Sequence, residues 1–202
     1  MTGRRAVAYL ERTGGAAPVL AGPAPPVQPV AAYRVFMFTD VVASTPLLAH
    51  MGDRRYVELL GEHDDVILGA VAAGEGTAVK HTGDGWFAWF ASPSAAVRTA
   101  LAIQQRMPVC DAAGNQIAIR VGLHAGEAVT LGTDFLGLAV TLASRVCGRA
   151  AAGEVLVSES VRLAASADGF RFRRRGRFAL KGFEDRVALF EVLAPVAEPV
   201  QV

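Results

Sequence analysis

The stretch TAVKHTGDGWFAWF, residues 77–90, sets the architecture of the chain. Two runs rich in β-branched and aromatic residues flank Gly83-Asp84-Gly85, which predicts a hairpin whose turn needs the positive φ that glycine tolerates. Asp84 tops that turn. Upstream, Val35-Phe36-Met37-Phe38 is a short apolar run ending in Thr39 and Asp40, the pattern of a central strand buried on both faces with a carboxylate at its carboxyl end. Between the two lies helical periodicity. Ser44 or Thr45 can cap a first helix with Pro46 at its opening position, and after a break at Gly52, Asp53 can cap a longer continuation. There Tyr56, Leu59, Leu60, His63, Ile67, Ala70 and Val71 recur at helical spacing until Gly74.

Beyond the hairpin, a second helix is expected from about Ser94 to Met107, and Ile117, Ile119, Val121 and Leu123 alternate as in a half-buried strand. Strand, helix, hairpin, helix, strand predicts an α+β, ferredoxin-like antiparallel sheet with helices packed on one face. A C-terminal α/β subdomain extends it, with a helix from about Gly137 to Ala150, a strand at Val155–Val157, a helix near Glu159–Ala165, and strands near Phe170–Arg175 and Val187–Val192. The folded domain starts near Tyr33 and takes in residues 32–194. Residues 1–31, rich in Ala and Pro, read as a flexible lead-in, and residues 195–202 as a tail.

With 202 residues, 52% of them hydrophobic and 19% charged, the chain holds enough apolar side chain for one core and too little charge for a disordered polyelectrolyte. Lys plus Arg number 20 against 19 Asp plus Glu, a formal charge of +1, which gives no support to general nucleic-acid binding. Residues 16–33 carry no charge, but Pro18, Pro23, Pro25, Pro26 and Pro29 disqualify them as a membrane helix. The apolar run after Arg4 and Arg5 stops at Glu11, too short for an export signal, so a cytoplasmic location is expected. Cys110 and Cys147 lie apart with no metal-type spacing and read as buried free thiols.

Asp40 and Asp84 are the first candidates for chemistry. Placed at adjacent ends of one sheet, two carboxylates can hold two divalent metals, a pair suited to in-line displacement at phosphorus. Each also has a local explanation, Asp40 ahead of a helix and Asp84 in a turn. The small segment Val41-Val42-Ala43-Ser44-Thr45 leads into a helix start whose free N–H groups can receive a triphosphate. Lys80, between Val79 and His81, is either a solvated strand residue or a group that reads a base. Gly83-Asp84-Gly85-Trp86-Phe87-Ala88 nominally fits a GxGxxA dinucleotide fingerprint, yet its Asp would face the pyrophosphate and its aromatics favour a strand where a helix is required. His63 and His124 lack a second ligand at metal spacing and read as structural, and Arg173-Arg174-Arg175 as a solvated strand edge.

From Phe36 to Val192 the chain resembles the catalytic domain of the bacterial class III adenylate and guanylate cyclases. The resemblance rests on FTDVVAST at 38–45, VKHTGDG at 79–85, RVGLHAGE at 120–127, DFLG at 134–137 with Ala143-Ser144-Arg145, and LKGF at 180–183. It implies that Asp40, Asp84 and the Val41 carbonyl are ligands of two divalent metal ions, Mg²⁺ or Mn²⁺. It also implies that Arg120, with the segment Ala43, Ser44 and Thr45, meets the triphosphate, and that Lys80 and Asp134 read the purine. A Lys donating to a ring nitrogen and an Asp accepting from an exocyclic amine fit adenine, whereas guanine readers in the family are typically Glu and Cys at these places. Arg145 resembles the arginine that stabilises charge on the α-phosphate in the transition state. The implied reaction is attack of the ribose 3′-hydroxyl of ATP on the α-phosphorus, giving cyclic AMP and pyrophosphate at sites shared between the subunits of a homodimer.

Two positions depart from the family pattern. Thr141 stands where an asparagine commonly orients the ribose, and Ala188 where a basic residue sometimes touches the triphosphate. An alternative reading is therefore a weak or inactive nucleotide-binding regulatory homologue. An RNA-binding module lacks its aromatic platform motif and basic face. A diguanylate cyclase relative would need a Gly-Gly-Asp/Glu-Glu-Phe signature where Thr82-Gly83-Asp84-Gly85-Trp86 stands.

Overall fold

The computed structural model describes residues 30–110 and 114–194. The lead-in up to residue 29 and the tail from residue 195 lie outside the described residues. In chain order the elements are β1 (Ala31–Val41), α1 (Ser44–Met51), α2 (Asp53–Ala73), β2 (Thr77–His81), β3 (Trp86–Phe90), α3 (Pro93–Arg106), β4 (Val109–Cys110) and β5 (Gln116–Ile117). They continue as β6 (Ile119–Leu131), β7 (Asp134–Leu136), α4 (Leu138–Cys147), β8 (Val155–Ser158), α5 (Glu159–Ala165), β9 (Arg171–Phe178) and β10 (Val187–Leu193).

The apolar run of β1 is indeed central. Its partners are β3 on one side and β6 on the other, both antiparallel, with Asp40 opposite Arg120 and Phe38 opposite both Phe87 and Gly122. The sheet has eight strands in the order β2-β3-β1-β6-β8-β10-β9, with β7 folding back on β6. Only β6 and β8 run parallel, and that pairing joins the C-terminal extension to the same sheet. β9 is one outer edge and β2 the other, and β2 shifts register between Ala78 and Lys80.

Alternation along the strands feeds two cores. Val35, Met37, Trp86, Ala88, Phe90, Val121 and Leu123 face α2, α3 and α5, where Leu59, Ile67, Val97, Ile103 and Val161 close against them. Phe36, Phe87, Phe135 and Ala128 face the other way, toward Ala139 and Ala143 of α4. Each large side chain so buried contributes about 1.5–3 kcal/mol. α4 lies close on the sheet because β6 offers no side chain beneath it: a Cβ at Gly122 would collide with the Cys147 backbone, and one at Gly126 would come 2.9 Å from the Ala139 Cβ.

Four local expectations change. β1 begins two residues ahead of Tyr33, where Ala31 and Ala32 pair with Val129 and Ala128. Neither Ser44 nor Thr45 caps α1: the helix starts at Ser44 behind Ala43, which turns the chain through a left-handed φ of 56° with no side-chain cap. Likewise Gly52, not Asp53, is the boundary residue of α2. Cys147 is buried as expected, but Cys110 is exposed, because it sits in the small β4–β5 ribbon off the main sheet.

Candidate active site

Asp40 and Asp84 come together. The turn between β2 and β3 presses on β1, since a Cβ at Gly85 would overlap the Thr39 carbonyl and lie 3.0 Å from the Asp40 Cα. Trp86 N–H then donates to Thr39 Oγ1 at 2.9 Å and fixes the approach. Gly83 supplies the positive φ of the turn at 103°. Burial raises the Asp40 carboxyl above its ordinary value and the neighbouring Asp84 adds to the rise, while Arg120 opposes both. Arg120 Nε donates to Asp40 Oδ2 at 2.7 Å, and Nη2 donates to the same oxygen. An Asp84 carboxylate close enough to raise the proton affinity of Asp40 forms with it a donor pair that a divalent cation relieves. Among the described residues no group of three or more His, Cys, Asp or Glu side chains forms a metal cage, so further donors would have to come from backbone or substrate.

The turn into α1 borders the same corner. Ser44, Thr45, Leu48 and Tyr56 face Gly83 and Asp84 across a concavity of about 320 Å³. The left-handed Ala43 turns the chain abruptly from β1 into a helix whose first N–H groups have no intrahelical acceptor. Segment 43–45 thus sits beside the carboxylate pair.

Lys80 and Asp134 meet although 54 residues separate them, with Nζ 2.5 Å from Oδ2. β7 folds back on β6 so that Asp134 lies opposite Leu131, and its other carboxylate oxygen accepts from the Phe135 N–H at 2.8 Å. The Lys80 ammonium also lies 6.0 Å from the Phe87 ring centre, and Phe87 stacks on Phe38 at 4.7 Å. A cation and a carboxylate therefore stand side by side, both reachable by solvent, at the edge of the buried Phe87 ring.

Thr141 and Arg145 stand one turn apart on the exposed side of α4. The Thr141 hydroxyl donates to the Gly137 carbonyl of its own helix at 3.2 Å. Neither residue is hydrogen-bonded to the carboxylate corner or to the Lys80–Asp134 pair within the described chain. Ala188, in β10, pairs with Arg177 of the edge strand, and the Arg186 guanidinium donates to the Arg177 carbonyl at 3.3 Å.

His63 and His124 are structural in their contacts. His124 Nδ1 lies 2.8 Å from Ser158 Oγ, and His63 Nδ1 lies 3.0 Å from Asp64 Oδ1. Asp64 is what the sequence reading passed over. It is fully buried, and the signal was present: Leu60, Asp64, Ile67 and Val71 recur at spacings of four, three and four along the inner face of α2.

Known proteins share the fold and identify the family. Residues 28–193 match the model of the adenylate and guanylate cyclase catalytic domain. Adenylate cyclase 1 of Rhizobium meliloti is 30% identical over 182 residues, 79% of this chain and 27% of that protein. The adenylyl cyclase CyaB of P. aeruginosa superposes with a TM-score of 0.75 at 21% identity, covering 84% of this chain and 98% of that one. The guanylate cyclase domain of RhGC from Catenaria anguillulae, solved in complex with GTP, superposes at 0.72 with 21% identity, covering 80% of this chain and 96% of that one. The chain spans between 19% and 40% of the length of the curated relatives it matches. With the match running from ahead of β1 through β10, the chain belongs to the adenylate and guanylate cyclase catalytic-domain family.

Proposed function

We propose that the chain is an adenylate cyclase catalytic domain that converts ATP to 3′,5′-cyclic AMP and pyrophosphate. The observation that carries the choice of ATP is the Lys80–Asp134 pair, a donor beside an acceptor at 2.5 Å. Adenine offers an acceptor ring nitrogen next to an exocyclic amine donor, the complement of that pair, whereas guanine presents a carbonyl where adenine has the amine. The donor set Asp40, Asp84 and the Val41 carbonyl would hold two divalent ions, Mg²⁺ or Mn²⁺, which would neutralise phosphate charge and ease deprotonation of the attacking 3′-hydroxyl.

The chain's own residues then have distinct work. Segment 43–45 offers N–H groups to the triphosphate, and Arg120, held at the same corner by Asp40, brings a positive charge to it. Arg145 stabilises charge gathering on the α-phosphate, and the Thr141 hydroxyl donates to the ribose. We place each site between two copies of the chain, one supplying the carboxylate corner and the other Lys80, Asp134, Thr141 and Arg145. Tyr33, Leu131, Leu136 and Leu138 support self-pairing: all are exposed, by 43% or more, and they gather where β1, β6 and β7 meet the start of α4. ATP as substrate makes the cytoplasm the place of action, and no helix among the described residues is long and apolar enough to cross a membrane.

The test is mass-spectrometric detection of cyclic nucleotide after incubating purified protein with Mn²⁺ and either ATP or GTP. Cyclic AMP from ATP alone supports the proposal; cyclic GMP overturns the purine assignment but keeps the cyclase. One observation favours a second reading. Because the Thr141 hydroxyl is turned onto its own helix, a folded dimer that is stabilised by ATP yet yields no product would be a nucleotide-binding regulatory homologue.

A further inference from the structure

Under the β2–β3 hairpin, α2 buries a polar cluster that the reaction above does not use. His63 and Asp64 are both 0% exposed. Asp64 Oδ1 accepts from the Trp86 indole Nε1 at 2.8 Å, lies 3.0 Å from His63 Nδ1, and sits 3.7 Å from His81 Nε2. His81 and Trp86 face each other across the hairpin as the last rung before the turn, and their rings meet edge to face at 5.1 Å. One buried carboxylate oxygen therefore bonds one strand through Trp86 and stands against His81 of the other, where the two open into Thr82–Gly85. The next links run to the carboxylate corner, since Trp86 N–H bonds Thr39 Oγ1 and Gly85 rests on the Thr39–Asp40 backbone. Lys80 directly precedes His81 on the other strand.

We infer that Asp64 is a positioning residue that sets the hairpin against β1 and so fixes the spacing of Asp84 from Asp40. The inference rests on reading those two carboxylates as the cation site. Stability alone is a poor account of Asp64. A buried carboxylate is costly, an apolar residue of similar volume packs as well or better, and Asp64 Oδ2 has no hydrogen-bond partner among the described residues. What an apolar residue cannot do is receive the indole N–H and orient the ring. Burial pushes the Asp64 carboxyl up, but the donors of His63 and Trp86 and the nearby His81 ring outweigh it and hold its pKa down at about 2, so it remains a charged acceptor.

The test uses Asp64→Val, which removes the acceptor together with the charge, and Trp86→Phe, which keeps a ring and removes the donor. Each is compared with the wild-type chain by two readouts that need no turnover. The first is Mn²⁺ affinity, from the free Mn²⁺ electron paramagnetic resonance signal at a temperature where each variant is folded by circular dichroism. The second is amide hydrogen exchange across residues 82–85. Loss of a group that orients a metal ligand costs about 10- to 100-fold in affinity, so each variant is expected to bind Mn²⁺ at least about ten-fold more weakly. Exchange in the turn should quicken, and the double variant should be little worse than either single one, because both cut the same bond. Variants that melt earlier but bind Mn²⁺ as tightly as wild type would overturn the inference and leave Asp64 merely structural. A wild-type chain that takes up no Mn²⁺ would refute the carboxylate-pair reading instead; turn exchange then decides, and unchanged exchange in both variants overturns the positioning role.

Discussion

Acid should destabilise this protein through His124 as pH falls from about 6.5 toward 4. β6 places His124 on the α4 side of the sheet opposite Phe36, with Nδ1 at 2.8 Å from Ser158 Oγ and 3.3 Å from Ser160 Oγ. Burial presses its pKa from 6.5 down to about 4. Between those values the unfolded chain binds a proton that the folded chain refuses. The neutral-histidine contribution is thus complete above about pH 6.5 and is lost as pH falls toward 4. A shift of about 2.5 units at about 1.4 kcal/mol each bounds the effect near 3 kcal/mol, and the part falling between pH 7.5 and 4.5 is on the order of 2 kcal/mol. Urea unfolding at half-unit pH steps should show that loss in the wild-type chain and not in His124→Gln, whose amide cannot titrate. Asp64, held at about 2, releases its contribution only at lower pH. Asp40, raised by burial, acts in the opposite sense, because the folded chain takes its proton first. Both are common to the two chains, so the difference isolates His124. Parallel stability–pH curves for wild type and His124→Gln would refute the reasoning.

Gly85→Ala should destabilise the fold by about 3 kcal/mol, a fall in Tm of roughly 10 °C, because the added methyl meets β1 backbone that cannot step aside; a melt within 2 °C of wild type, roughly the assay scatter, would contradict it. Thr141→Asn should raise kcat by about 100-fold with little change in KM, since the amide reaches farther than a hydroxyl bound to its own helix; steady-state kinetics with Mn²⁺ and ATP would show it. Lys80→Glu combined with Asp134→Cys should shift the ratio of kcat/KM from ATP toward GTP by about 100-fold or more, and competition between the two nucleotides measures that ratio.

How much of this was legible follows from how local each signal is. The hairpin, the long helix and the buried first strand announce themselves within a dozen residues, through a Gly-Asp-Gly turn, a 3.6-residue period and an unbroken apolar run. The caps of α1 and α2 were misread because Ser, Thr and Asp favour that position in general, while here the left-handed Ala43 and Gly52 turn the chain first. Cys110 was misjudged because burial is decided by which sheet a strand joins, a property of the whole fold. Asp64 hid behind its own residue type: a carboxylate in an apolar row reads as a lapse in the row until Trp86 and His81 arrive from the hairpin. The meeting of Lys80 with Asp134 is invisible to any local window, and only the family resemblance pointed to it.

The outer strand β9 decides what kind of assembly is open to the protein. It carries arginines at 171, 173, 174, 175 and 177, and Glu191 and Glu154 engage only two of them, Arg173 and Arg175. Aligning this edge with the same edge of another copy would bring two cationic rows within a strand spacing of roughly 5 Å, where like charges repel. Strand-by-strand growth into an open-ended ribbon is thereby blocked at that edge. Under the pairing proposed above, association uses instead the exposed Tyr33, Leu131, Leu136 and Leu138, a surface that one partner copy can cover, and such a contact does not propagate along β9.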